Sequence, residues 1–135
     1  MHRAAIVLSF VVFAACVSPE DSTSPVTTDI AGAYSLKSIN GAELPYLIGV
    51  RTNGDSLFLL DDTYTLTGDS RFAEIFHTRQ LQSGAVQVIA GSDSGTFTRS
   101  GQTLRMVGLN GVFTATIKSD TLQLDGQNTT FVYRK

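Results

Sequence analysis

Few side chains in this sequence are of a type that does chemistry, and their spacing narrows the chemistry further. Beyond position 16 there is one histidine, His77, and no cysteine. A Ser-His-Asp hydrolase would have to use His77, yet no G-x-S-x-G turn is present to expose a serine. One histidine without thiols also disfavours a transition-metal site. Asp61, Asp62 and Asp69 offer oxygen ligands, but their spacing lacks the alternating loop pattern of a dedicated calcium site. Adjacent carboxylates point apart in an extended chain, so Asp61-Asp62 reads as a turn rather than an acid–base pair. The expectation is therefore a protein with no catalytic residues, no metal and no cofactor, and not an enzyme. One constellation stands out. In Arg71-Phe72-Ala73-Glu74-Ile75-Phe76-His77 the larger aromatics share a face with Glu74. If that face is interior, a carboxylate lies between two rings and needs a partner or must bind something. If Ile75 faces inward instead, Phe72 and Phe76 form an exposed apolar strip suited to contact with a protein or membrane. A wet rim or outer surface is the favoured reading, and Phe72, Glu74 and Phe76 are the candidate ligand-binding residues.

The chain also carries an address. Met1-His2-Arg3 is a short positive segment, followed by the apolar run Ala4 to Ala15 (AAIVLSFVVFAA). That run has the length of a signal-peptide core and is too short to span a bilayer. It ends in Phe13-Ala14-Ala15-Cys16, which resembles the bacterial lipobox, with Phe13 where Leu is usual. The resemblance implies cleavage before Cys16 and acylation of its thiol, and two or three acyl chains anchor a protein stably. Val17 follows the cysteine, not the Asp that retains such proteins at the inner membrane of enteric bacteria. The expected location is the bacterial cell envelope, lipid-anchored, at the outer membrane. With Cys16 acylated the mature chain has no thiol, which excludes disulfides and thiolate chemistry.

Composition limits the partners. The net charge is −2, and with Arg3 removed nine basic side chains face twelve acidic ones, with no basic cluster. Phosphate-backbone binding needs a concentrated positive footprint, so nucleic acid is not an expected partner. Residues 17–28 (VSPEDSTSPVTT) are polar and without apolar periodicity, as a tether would be. Three segments result: a signal peptide at 1–15, the lipidated Cys and tether at 16–28, and one domain at 29–135.

Positioning within that domain must come from β-strands. From Asp29 onward the pattern has period two and is punctuated every eight to twelve residues by turn signals. Asn40-Gly41, Asn53-Gly54, Asn110-Gly111 and Asp125-Gly126 are the strongest, because type I′ hairpins need positive φ at both central positions. Asp61-Asp62, Gly68-Asp69, Gly91-Ser92, Ser100-Gly101 and Ser119-Asp120 are weaker signals. Residues 77–84 (HTRQLQSG) read as a long loop. Regular short strands with such punctuation predict an all-β sandwich or barrel. The predicted inward set is Tyr34, Leu36, Tyr64, Leu66, Val86, Val88, Phe97, Leu104, Met106, Leu122, Leu124, Phe131 and Tyr133. Leu57 to Leu60 is apolar on both faces, so periodicity alone does not orient it.

The segment from Ala31 to Gly41 (AGAYSLKSING), followed by Leu44-Pro45, resembles the opening of small lipocalin-like bacterial envelope lipoproteins, META-type domains among them. Later matches are Leu59 to Tyr64 (LLDDTY), Gly95-Thr96-Phe97 and the closing Phe131 to Lys135. Departures are Tyr34, where Trp is commonest, and Asp62 in place of a turn glycine. The resemblance implies an antiparallel up-and-down barrel or half-open barrel of about eight to ten short strands. Activity belongs to the site rather than the scaffold. Two readings follow. One is a binding module for a small apolar ligand, since an eight-stranded barrel either fills with side chains or holds one such molecule. The other is an interaction module with a filled core, acting on an envelope protein through its rim. The twelve Phe and Tyr side chains tilt the balance slightly toward a filled core.

Overall fold

The computed structural model describes residues 29–135, so the expectations for the signal peptide, Cys16 and the tether lie outside the described residues. Nine strands follow one another: β1 (Gly32–Ile39), β2 (Tyr46–Val50), β3 (Ser56–Leu66), β4 (Arg71–Gln82), β5 (Ala85–Ser100), β6 (Thr103–Gly108), β7 (Gly111–Lys118), β8 (Thr121–Asp125) and β9 (Thr130–Arg134). All named pairings are antiparallel, and each strand from β3 to β8 pairs with its successor. β1 pairs with both β9 and β3, which closes an eight-stranded up-and-down barrel from β1 and β3–β9. Of the sandwich or barrel that the turn spacing left open, the fold is the barrel that the resemblance implied. β2 stands outside the closure. It lies along Ser56–Leu59 of β3, on the edge that β1 occupies from Thr63 to Leu66.

Alternation explains the interior. Tyr34, Leu36, Tyr64, Leu66, Phe97, Leu104, Met106, Leu122 and Tyr133 are buried, as their polar neighbours predict. Ile39, Leu59, Phe72, Ala115 and Ile117 complete the core. Leu124 and Phe131 also pack against it but are only partly buried, because they stand at one end of the barrel. The two ends differ. At one end are Asp29, Lys135 and the turns after β3, β5 and β7, tied together by bonds such as Lys135 N–H to the Asp120 carbonyl (3.0 Å). There the Tyr34 hydroxyl donates to the Ile30 carbonyl (2.8 Å), and the Lys135 ammonium lies 5.3 Å from the Tyr34 ring centre, closing that end. At the other end are the β6–β7 turn, the β8–β9 loop and a sheet extension made by β2, β3, β4 and β5.

That extension overturns three expectations. The window 77–84 is not a loop: β4 runs to Gln82, and Ser83 (φ 50°) with Gly84 (φ 80°) turns directly into β5. Gly91-Ser92 and Asp61-Asp62 are not turns, since both pairs lie inside continuous strands. Val86 and Val88, expected inside, are 63% and 58% exposed. Once β5 is unbroken from Ala85 to Ser100, strict alternation places Val86 and Val88 on the face opposite Phe97. A turn at Gly91 would have reset the phase, and none exists. Gly91 instead makes room for an aromatic ring: a Cβ there would lie 2.1 Å from Phe76 Cζ, on the cross-strand partner.

Candidate functional site

The chemistry of the interior gathers on three neighbouring strands. On β3, Asp62, Tyr64 and Leu66 alternate inward, set in phase with Leu59 by an irregularity in the β3–β4 register between Leu59 and Asp61. On β4 the inward face is Phe72, Glu74 and Phe76, while Ile75 points to solvent. Cross-strand register sets Glu74 beside Tyr64 on one side and Asp93 of β5 on the other. The interior alternative for this face, a carboxylate between aromatic rings, is the arrangement present.

These residues surround a cavity of about 220 Å³ at the end of the barrel remote from Asp29. Asp62, Tyr64, Glu74 and Tyr133 form its floor and one wall, and Phe113, Thr114, Leu124 and Phe131 form the rest. Asp125 and Gly126 edge it at the start of the β8–β9 loop. Among the lining residues none is Lys, Arg or His. Tyr64 is the hub of the aromatic packing, with ring centres 5.3 Å from Tyr133, 5.9 Å from Phe72 and 6.2 Å from Phe113. Edge-on contacts of this kind fix the rings, so the cavity has preformed walls. A wider hollow of about 430 Å³ lies at the other end against Asp29, Ile30 and Ala31, where the chain enters the domain.

The electrostatics of the cavity are unusual. Asp62 is 5% exposed, and its Oδ2 accepts a hydrogen bond from the Tyr133 hydroxyl at 2.7 Å. Its Oδ1 is buried with no hydrogen-bond partner. Burial raises Asp62 to about 6, against the pull of the Tyr133 hydroxyl. Burial likewise raises Glu74 to about 7, and the negative charge of Asp62 pushes in the same direction. The charged forms of both groups are disfavoured for want of a positive neighbour, and two carboxyls this close titrate as a pair. Burial and the adjacent carboxylates also raise the Tyr64 and Tyr133 phenols, which stay neutral donors.

Asp93 plays a different part. It is buried, and its Oδ1 accepts the Ser94 and Leu109 amides at 2.7 and 2.8 Å, with the Asn110 amide at 3.4 Å from Oδ2. It thereby pins the β6–β7 turn to the β5 wall, and Gly108 leaves space for it: a Cβ there would lie 2.4 Å from Asp93 Oδ2. His77 and Asp61 are a cross-strand pair on the outer face, Nδ1 to Oδ1 at 2.6 Å, and take no part in the cavity.

No family model matches the sequence, and no curated protein does. What the site is must come from its own geometry. Of the three candidates from sequence, Glu74 lines the cavity, Phe72 lies behind it in the core, and Phe76 covers Gly91. Asp62 is the residue that sequence reasoning missed. The signal was present: Asp62, Tyr64 and Leu66 share one period-two face, but taking Asp61-Asp62 for a turn removed Asp62 from it.

Proposed function

We propose that this chain is a lipid-anchored bacterial envelope lipoprotein of the lipocalin-like kind. It is held by acyl chains on Cys16, and its barrel binds one small ligand with an apolar body in the cavity beside Asp62 and Glu74. The observation that carries the ligand reading is the preformed cavity of about 220 Å³ walled by Tyr64, Phe113, Leu124, Phe131 and Tyr133. At roughly 30 Å³ per water this is the volume of about seven waters, small beside drug-sized sites. Concave, mostly aromatic walls with a few convergent polar groups are the common form of a ligand site. The cavity lies at the barrel end opposite Asp29, which suits a domain whose tether attaches on the far side. Catalysis is not part of the proposal.

The ligand reading is tested with 1-hexanol as the probe. Calorimetric titration of the full chain should show saturable one-to-one binding that Leu124→Trp abolishes by filling the cavity. Absence of saturable binding, or binding indifferent to Leu124→Trp, would overturn it.

A second reading rests on a separate observation. Leu47, Val50, Val86 and Val88 are exposed large hydrophobics on the outer face of the β2–β5 extension, where Arg79 stacks 4.7 Å from the Phe58 ring centre. An apolar face of this kind suits contact with an envelope protein.

A further inference from the structure

We propose that the ligand of this cavity is a protonated amine: an alkyl or aryl ammonium whose apolar body lies against Phe113, Leu124 and Phe131 while its N–H groups bond Asp62 Oδ1 and Glu74. This deepens the ligand reading above and rests on it. Three independent features of the site converge on that chemistry.

The first is an unused acceptor. Asp62 Oδ1 is buried and has no partner at hydrogen-bond distance, beside the Glu74 carboxyl that pulls on it in the empty barrel, while the other oxygen is held by Tyr133. A buried acceptor without a donor is costly, and a donor brought to it by a ligand would recover that cost. The second is uncompensated acidity. The titratable groups facing the pair are Tyr64 on the same strand, Asp93 on β5 and Tyr133 on β9, with Asp125 at the rim from β8. None is a base, the phenols stay neutral and the carboxyls carry the only charge, so the field inside the barrel mouth is negative and an anion would be repelled. The third is the wall itself. The rings of Tyr64, Phe113, Phe131 and Tyr133 line the cavity together with the carboxyls, and aromatic faces attract ammonium groups.

The same features sort the cations. A quaternary ammonium satisfies the charge and the rings but donates no hydrogen bond, leaving Asp62 Oδ1 as it is. A primary amine supplies three donors, enough for Asp62 Oδ1, Glu74 and one more acceptor. The cavity's size limits the body to a short chain or single ring. On binding at neutral pH, the proton that Glu74 retains in the empty barrel is released to solvent, because the ammonium supplies the positive charge that the carboxylates lack. No covalent change accompanies this exchange.

The test compares four probes of one chain length on the full chain at pH 7: hexylamine, hexyltrimethylammonium, 1-hexanol and hexanoate. Hexylamine should bind at least tenfold tighter than 1-hexanol, with hexanoate weakest, and its binding enthalpy should depend on the buffer's ionisation enthalpy because protons are released. Asp62→Asn and Glu74→Gln should each remove most of the hexylamine preference over 1-hexanol. Both substitutions replace a desolvated carboxyl by a neutral group of the same shape, and a cooperative denaturant unfolding transition is the control for folding. Equal affinity for hexylamine and 1-hexanol would overturn the amine proposal while leaving the apolar-ligand reading standing. Hexyltrimethylammonium binding as tightly as hexylamine would overturn the role given to Asp62 Oδ1. Binding of none of the four would overturn the proposal together with the ligand reading beneath it.

Discussion

At the scale of residues, the pair Asp62 and Glu74 gives the domain a pH dependence of definite sign. Both carboxyls are raised by burial, to about 6 and about 7, from ordinary values near 4. Between those limits the folded state holds more protons than the unfolded chain, so stability falls as pH rises from about 4 to about 7 and levels off above. Asp69, whose exposed carboxyl is lowered by its Thr67 hydrogen bond, acts only below that window. The expected slope lies under the ~2.7 kcal/mol per pH unit of two full protons, because Glu74 is partly open to solvent. Denaturant midpoints at pH 5 and pH 8 should show the protein more stable at pH 5. The double variant Asp62→Asn/Glu74→Gln should flatten the difference, and a steeper rise toward pH 8 would contradict the burial described. Sequence reading reached half of this pair. Glu74 between Phe72 and Phe76 was conspicuous because its neighbours are rings, whereas Asp62 beside Asp61 looked like the polar pair of a turn. Only the length of β3 separates the two cases, and length is a property of the pairing partners rather than of the residues.

At the scale of elements, the short strands β1, β6, β8 and β9 were legible because turn residues bracket them and each holds one clean apolar face. The long ones were not. β3, β4 and β5 each run through residues that resemble loops: Asp61-Asp62, His77 to Gln82 and Gly91-Ser92. Their backbone amides find partners on both sides for much of their length, and that pairing outweighs weak local turn preference. Once the break was misplaced, alternation in β5 was read in the wrong phase, which is why Val86 and Val88 fell outside while Phe97 fell inside. Truncations should follow the phase now seen. Leu104→Ala and Leu122→Ala, at fully buried positions, should cost about 2–5 kcal/mol in denaturant unfolding. Arg105→Ala and Val86→Ala, at exposed positions, should cost about 0.5 kcal/mol or less. Equal losses in the two groups would contradict the assignment of faces.

At the scale of the whole molecule, the two ends of the barrel differ in structure. One end is closed by Ile30, Tyr34 and Lys135, and carries Asp29 and the chain terminus. The other end holds the cavity, with the four-stranded extension standing beside it. A lipid on Cys16, thirteen residues before position 29, would tether the closed end and leave the open end accessible. Cys16→Ser should therefore release the protein from membranes, moving it from the detergent phase to the aqueous phase in a partition assay. Unchanged partitioning would end the lipoprotein proposal while leaving the barrel untouched. The central claim is that the open end is a binding site, and chemical-shift mapping of the full chain during titration with 1-hexanol tests it most directly. The account predicts saturable shifts at Tyr64, Phe113, Leu124, Phe131 and Tyr133. Saturable shifts centred instead on Val86, Val88 and Leu47, with the cavity residues unmoved, would contradict it.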